Sequence, residues 1–279
     1  MNTVLTIARL TLHEAARRRV LRSLAVLTVL LLGLSTWGFT RLDAEFGDLT
    51  TGEARIAASV ILNLVLFGLS LVAALGTAFL AGPTLAGDIE SGIALAILAR
   101  PVRRPLVLLG KWLGLVVFGG VFVTVAGLAQ LVIVEVTVGY WPPQPVAGLL
   151  LLAGQTTVLL TLGLLLSAVI SPMASGVVAV GLFGATWVAG VVGAIGGVLH
   201  NDSVRRIGDV SRVLLPTDGL WRGAMHALQS PGVTGADASM AGHPFLGADP
   251  VTGGYLAWSA LWTSVILGLA AAAFARRDL

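Results

Sequence analysis

The chain has no cysteine, a single lysine and few charges: Asp, Glu, Lys and Arg make up 11% of its 279 residues. The missing cysteine excludes disulfides, thiolate catalysis and Cys-ligated zinc or iron–sulfur centres. The shortage of charge, against about 25% in soluble domains, excludes an ordinary water-soluble globule. The apolar share is 56% and the mean hydropathy is +0.94, so the bilayer is the expected solvent. Catalytic patterns are missing too. No GxSxG, no intramembrane Ser–His pair and no paired carboxylates occur, and His13-Glu14 fails as HExxH because position 17 is Arg. Leu108-Leu109-Gly110-Lys111-Trp112 falls short of a Walker A motif, because Pro105 stands where its first glycine belongs and no Ser or Thr follows the lysine. The chain is therefore expected to be no enzyme and to hold no metal or cofactor.

What is present is a set of long charge-free runs. Six helices are predicted, near 23–40, 57–81, 112–138, 146–170, 173–199 and 252–274, each long enough to cross about 30 Å of hydrocarbon. They must be helices, since lipid offers no partner to a bare backbone amide. The fold class is all-α, a polytopic membrane protein forming one transmembrane domain over 1–279. No cleavable signal peptide is visible, and the first run reads as a retained span. Six spans place both termini on one side. That side carries eleven positive residues and four acids, and the other side six arginines and ten acids. The resulting +7 against −4 predicts cytoplasmic termini. It also accounts for the pI near 10.2 without nucleic-acid binding. Sixteen arginines to one lysine, with abundant Ala, Gly and Val, suit a GC-rich bacterial genome and a bacterial cytoplasmic membrane.

The segments between spans carry the remaining signals. Residues 1–22 read as an amphipathic helix, with Val4, Ile7, Ala8, Thr11 and Ala15 on one face and Arg9, His13 and Arg17 on another. A plain basic flank accounts for that segment equally well. Between the second and third spans, 82–111 is too long for a hairpin loop. Asp88 and Glu90 open a helical stretch and Arg100 closes it, complementing its dipole, before Pro101 stops it. The result is a docking helix or a passive interfacial one. Residues 200–250 form an external segment. Asp202 is expected to cap a short helix bearing Val204, Ile207, Val210 and Leu214. Thr217 or Asp218 should cap another with Leu220, Trp221, Ala224, Met225 and Leu228. Neither can span, so both should lie on or dip into the outer surface. The fifth span is rich in glycine, and Gly193/Gly197 and Gly110/Gly114 form GxxxG pairs suited to close helix approach. Inside the spans, Asn63, Gln130, Gln155, Thr156 and Thr157 either line a pathway or bond across helices.

Glu90-Ser91-Gly92, then Leu98-Ala99-Arg100-Pro101-Val102-Arg103-Arg104, then Leu109-Gly110-Lys111 is an order that resembles the permease subunits of ABC transporters of the type-2 exporter family. Arg9-Leu10-Thr11-Leu12-His13-Glu14-Ala15 followed by Arg17-Arg18-Arg19 is similar to that family's N-terminal elbow helix. Leu215-Pro216-Thr217 with Leu220-Trp221 looks like its external segment. The nearest subgroup is the permeases of nitrous-oxide-reductase maturation. One departure is Ile93-Ala94 after Glu90-Ser91-Gly92, where Thr-Leu is commoner.

The resemblance implies an exporter permease that couples ATP hydrolysis on a separate ABC ATPase subunit, which holds ATP and Mg, to transport. It implies a second permease copy as partner. Asp88, Glu90, Arg100, Arg103 and Arg104 would form the ATPase contact, and Arg9, Glu14 and Arg17 would belong to the elbow helix. The alternative is a non-transporting assembly or regulatory subunit of the same fold.

Overall fold

A computed structural model describes residues 3–17, 19–46, 52–87, 103–230, 244–246 and 250–276. Among these the chain is helical and contains no strand. The helices are α1 (Thr3–Arg17), α2 (Arg19–Phe46), α3 (Gly52–Gly82), α4 (Arg104–Val138), α5 (Pro145–Val169), α6 (Pro172–Val198), α7 (Asp202–Leu214), α8 (Thr217–Leu228) and α9 (Gly253–Arg276). Six of them are long and apolar enough to cross a membrane, over Val20–Arg41, Ile56–Gly82, Arg104–Val138, Pro145–Val169, Pro172–Val198 and Gly253–Arg276. This is a multi-pass membrane protein. The third span, α4, begins at Arg104, not near 112, so residues 104–111 are its first turns rather than loop. The reason is Pro105, whose fixed φ and missing N–H suit the first turn of a helix. Proline opens α5 and α6 in the same way.

Spans α3 and α5 are the most buried, and α2 and α9 the most exposed. The main core joins Phe39 of α2, Leu62 and Leu66 of α3, Leu131 and Val134 of α4, and Leu149 and Leu152 of α5. Trp221, Met225 and Leu228 of α8 complete it. A helix too short to span is thus part of the core.

Helices α7 and α8 explain this by forming a re-entrant hairpin. Helix α7 descends along α6, where the Cα atoms of Gly193 and Gly208 face each other with no room for a side chain. At the turn, the Thr217 hydroxyl lies 3.0 Å from that of Thr186, midway along α6. Helix α8 then climbs along α5 until Leu228 packs on Gly148 and the Tyr140 hydroxyl donates to its carbonyl at 2.9 Å. The hairpin therefore reaches about half the depth of the spans.

Such a turn strands the last carbonyls of α7 away from water. Helix α9 supplies the donors. Tyr255 Oη donates to Arg212 O at 3.2 Å, Trp258 Nε1 to Val213 O at 3.2 Å and Trp262 Nε1 to Leu214 O at 2.8 Å. The three aromatics fall on one face of α9 by helical spacing. Ile207, Val210 and Leu214 are exposed, so most of the apolar face of α7 points away from the bundle and Gly208 points into it. A membrane-embedded hairpin needs that orientation.

The expected caps change as well. Asn201, not Asp202, caps α7, its Oδ1 accepting from the amides of Ser203 and Val204 at 3.1 and 3.2 Å. Pro216 occupies the N-cap position of α8 and no side chain caps it. Asp218 has another role.

Candidate functional site

Three groups of polar residues stand out, one at the end of the bundle that carries the termini and two within it. At the end that carries the termini, α1 lies along the first turns of α4. Its Ala8, Thr11 and Ala15 are buried, while Arg9, Glu14 and Arg17 are exposed. The contact is a backbone notch. A Cβ at position 110 would stand 2.7 Å from Ile7 Cβ, and one at 114 would stand 3.0 Å from Thr11 Cβ. The Gly110/Gly114 pair therefore seats the elbow helix. The Gly193/Gly197 expectation needs a correction. It is Gly193 and Gly196 that meet α7, while Gly197 touches nothing within 4 Å. Four residues apart on a helix is only approximately one face, and here three apart matches the crossing.

Beside α1, a π-helical turn, Pro83–Gly87, ends α3. The buried Lys111 extends its Nζ to donate to Thr84 O. The one lysine thus ties the start of α4 to the end of α3. A buried ammonium is tolerated only with such partners. Arg104 Nη1 donates to Ala275 O at 3.1 Å, joining α4 to the end of α9. Arg103 is exposed in extended conformation before α4. Asp88, Glu90 and Arg100 lie outside the described residues.

Within the bundle, the neutral polar residues bond across helices. Gln130 Nε2 donates to Ser35 Oγ at 2.7 Å, and Ser70 Oγ donates to Gln155 Oε1 at 2.8 Å. Asn63 Nδ2 donates to Phe245 O at 2.8 Å. Gln130 and Asn63 each leave a buried carbonyl oxygen without a partner among the described residues. Thr156 and Thr157 donate to carbonyls one turn back in α5, and Thr157 also faces a groove between α5 and α9.

The third group was not foreseen. Asp218, in the first turn of α8, has a fully buried carboxylate. Its Oδ2 accepts from Arg212 Nε at 3.0 Å and from Arg222 Nε at 2.9 Å. The carboxylate presses on Gly190 of α6, where any side chain would overlap it. Arg212 also approaches the exposed Asp209 at 3.8 Å. A buried acid held by two guanidiniums is the arrangement that low dielectric demands. The sequence did carry a signal, since Asp218 and Arg222 are four residues apart. However, the burial that makes the pair matter comes from the hairpin. Among the described residues no group of three or more His, Asp or Glu residues is placed to hold a metal ion.

Compared with known proteins, the sequence matches no protein-family model and no curated protein.

Proposed function

We propose that the chain is the membrane-spanning permease subunit of an ATP-driven ABC exporter, in a bacterial cytoplasmic membrane with both termini cytoplasmic. A separate ATPase subunit hydrolyses ATP, and a second permease copy completes the pathway. The observation that carries the reading is the linked unit at the terminal end of the bundle. Helix α1 is notched into α4 at Gly110 and Gly114, and Lys111 fastens α4 to the end of α3. These two spans flank the charged segment 88–102, so a push on that segment would move α1, α3 and α4 together. The charge asymmetry of the sequence supports the orientation. The cargo path belongs between the two copies, because Gln130 and Gln155 are already used in bonds inside one copy. On α6, Gly190, Gly193 and Gly196 are occupied within the chain, which leaves Gly181, Gly184 and Gly197 as its open low-bulk surface for a partner.

The test is co-expression with the ATPase of the neighbouring gene. The tagged chain should retain that ATPase through purification, and Glu90→Lys should abolish retention or uncouple hydrolysis from transport while insertion stays normal. Wild-type docking and coupling in Glu90→Lys would reject the assignment. Cysteines at 46 and 236 should be labelled from outside intact cells and one at 95 should not. Retention of the ATPase with no cargo moved would support the assembly-subunit alternative, for which the internally paired amides also argue.

A further inference from the structure

The Arg212–Asp218–Arg222 cluster opens on one side into a pocket of about 220 Å³ that Thr252 and Tyr255 of the α9 end also line. This pocket adjoins a larger groove of about 690 Å³ between α5, α8 and α9, and Gly223, Pro250 and Val251 border both. We propose that pocket and groove together bind one anionic phospholipid, with the headgroup phosphate on the two arginines and an acyl chain in the groove.

Charge is the first argument. Each arginine spends only its Nε in a hydrogen bond among the described residues. Both terminal nitrogens of Arg222 and Nη2 of Arg212 remain as donors, Nη1 of Arg212 lying 3.8 Å from the exposed Asp209, and the buried Asp218 orients both guanidiniums. Two fixed guanidiniums suit a phosphate, which accepts charge-assisted bonds in the plane they offer. Asp218 itself faces away from a ligand, being fully buried behind them. The groove's chemistry is the second argument. Its walls are mostly apolar, with Leu150, Leu151, Val158, Leu220 and Leu256 among them. Its length is the third. From Leu151, which Gly223 meets at the pocket, to Val158 it follows about 10 Å of α5, enough for the upper part of an acyl chain in the roughly 15 Å of one leaflet. Position agrees, because Thr252 and Tyr255, at the first turn of the last span, line the arginine pocket. A soluble anion would use the pocket and ignore the groove, whereas a lipid uses both.

The experiment is native mass spectrometry of the full chain in mild detergent, with dioleoyl phosphatidylglycerol or dioleoyl phosphatidylcholine added at equal concentration. The expected result is about tenfold greater retention of phosphatidylglycerol. Arg222→Gln, Thr252→Glu and the groove-filling Ala260→Trp should each reduce that retention severalfold. Thr252→Glu and Ala260→Trp do not touch Asp218, so they report even if Arg222→Gln folds poorly. Equal retention of the two lipids overturns the proposal, as does unchanged retention in Thr252→Glu. Competition by excess inorganic phosphate with no effect of Ala260→Trp would make this a free-anion site, and would equally overturn it.

Discussion

Two short helical units are seated on spans by glycine, and they are held in opposite ways. Helix α1 rests in the Gly110/Gly114 notch of α4 with its charged residues Arg9, Glu14 and Arg17 exposed. The α7–α8 hairpin rests on Gly193 of α6, and adds the buried carboxylate of Asp218 and three aromatic donors from α9. The first is a shape fit at a surface. The second is a shape fit locked by charge and hydrogen bonds inside the bundle. On the permease reading, an element that tilts when a partner pushes suits the first kind of attachment. An element that fixes the packing of α5, α6 and α9 requires the second.

The contrast is sharpest at Asp218. Asp218→Ala leaves Arg212 and Arg222 facing each other with no acid between them. Breaking a buried pair by removing one partner costs on the order of 3–5 kcal/mol, so thermal unfolding in detergent should shift far below wild type. A shift no larger than that of a surface variant would mean that the hairpin is not locked by charge. Next is Gly193→Leu, which forces a side chain into the 2.6 Å approach to Gly208 Cα. Overpacking of this kind costs about 1–3 kcal/mol, and a cysteine at Val204 should become accessible to label as α7 leaves α6. Trp262→Phe keeps an aromatic ring, though a smaller one, and removes the donor to Leu214 O. A carbonyl left unpaired away from water costs about 1–3 kcal/mol, placed at the lower end here because Leu214 lies on the bundle's outer surface.

On the other unit the same operation should do less. Gly114→Leu displaces α1, which shares only the small cluster around Ala15 and contributes nothing to the main core. About 1 kcal/mol of stability should be lost, at the low end for overpacking, while a cysteine at the buried Ala8 becomes accessible to label. Equal losses from Gly114→Leu and Gly193→Leu would erase the distinction between the two units. The smallest effect belongs to Arg17→Ala, an exposed change with no measurable shift in unfolding. On the permease reading, it lowers only ATPase capture.

Much of this was legible in the residues. The six spans follow from runs of apolar residues, because a spanning helix is a local structure that satisfies its own backbone. The amphipathic α1 followed from the recurrence of Ala8, Thr11 and Ala15, and its buried face is that face. Where the reading stopped short, a distant partner decided in every case but one. Pro105 moved the start of α4 back to Arg104, a local signal that the charges of 103–111 concealed. The role of Gln130 and Gln155 could not be chosen from sequence, since bonding across helices and lining a path require the same residue types. The GxxxG pairs were visible, but which of them meets a helix depends on crossing geometry.

Sequence by itself determined that this is an all-helical membrane protein with six spans, two short helices after the fifth and glycine-rich surfaces for close packing. Composition and local periodicity suffice for that, because the bilayer imposes one solution on any long apolar segment. Tertiary structure alone decided that the two short helices enter the bundle to mid-depth and that Asp218 is buried between Arg212 and Arg222. It also decided that Tyr255, Trp258 and Trp262 serve the carbonyls of α7. The physical reason is the same for all three. A charge, a stranded carbonyl or an indole N–H is costly in lipid until a partner reaches it, and those partners lie on helices remote in the chain.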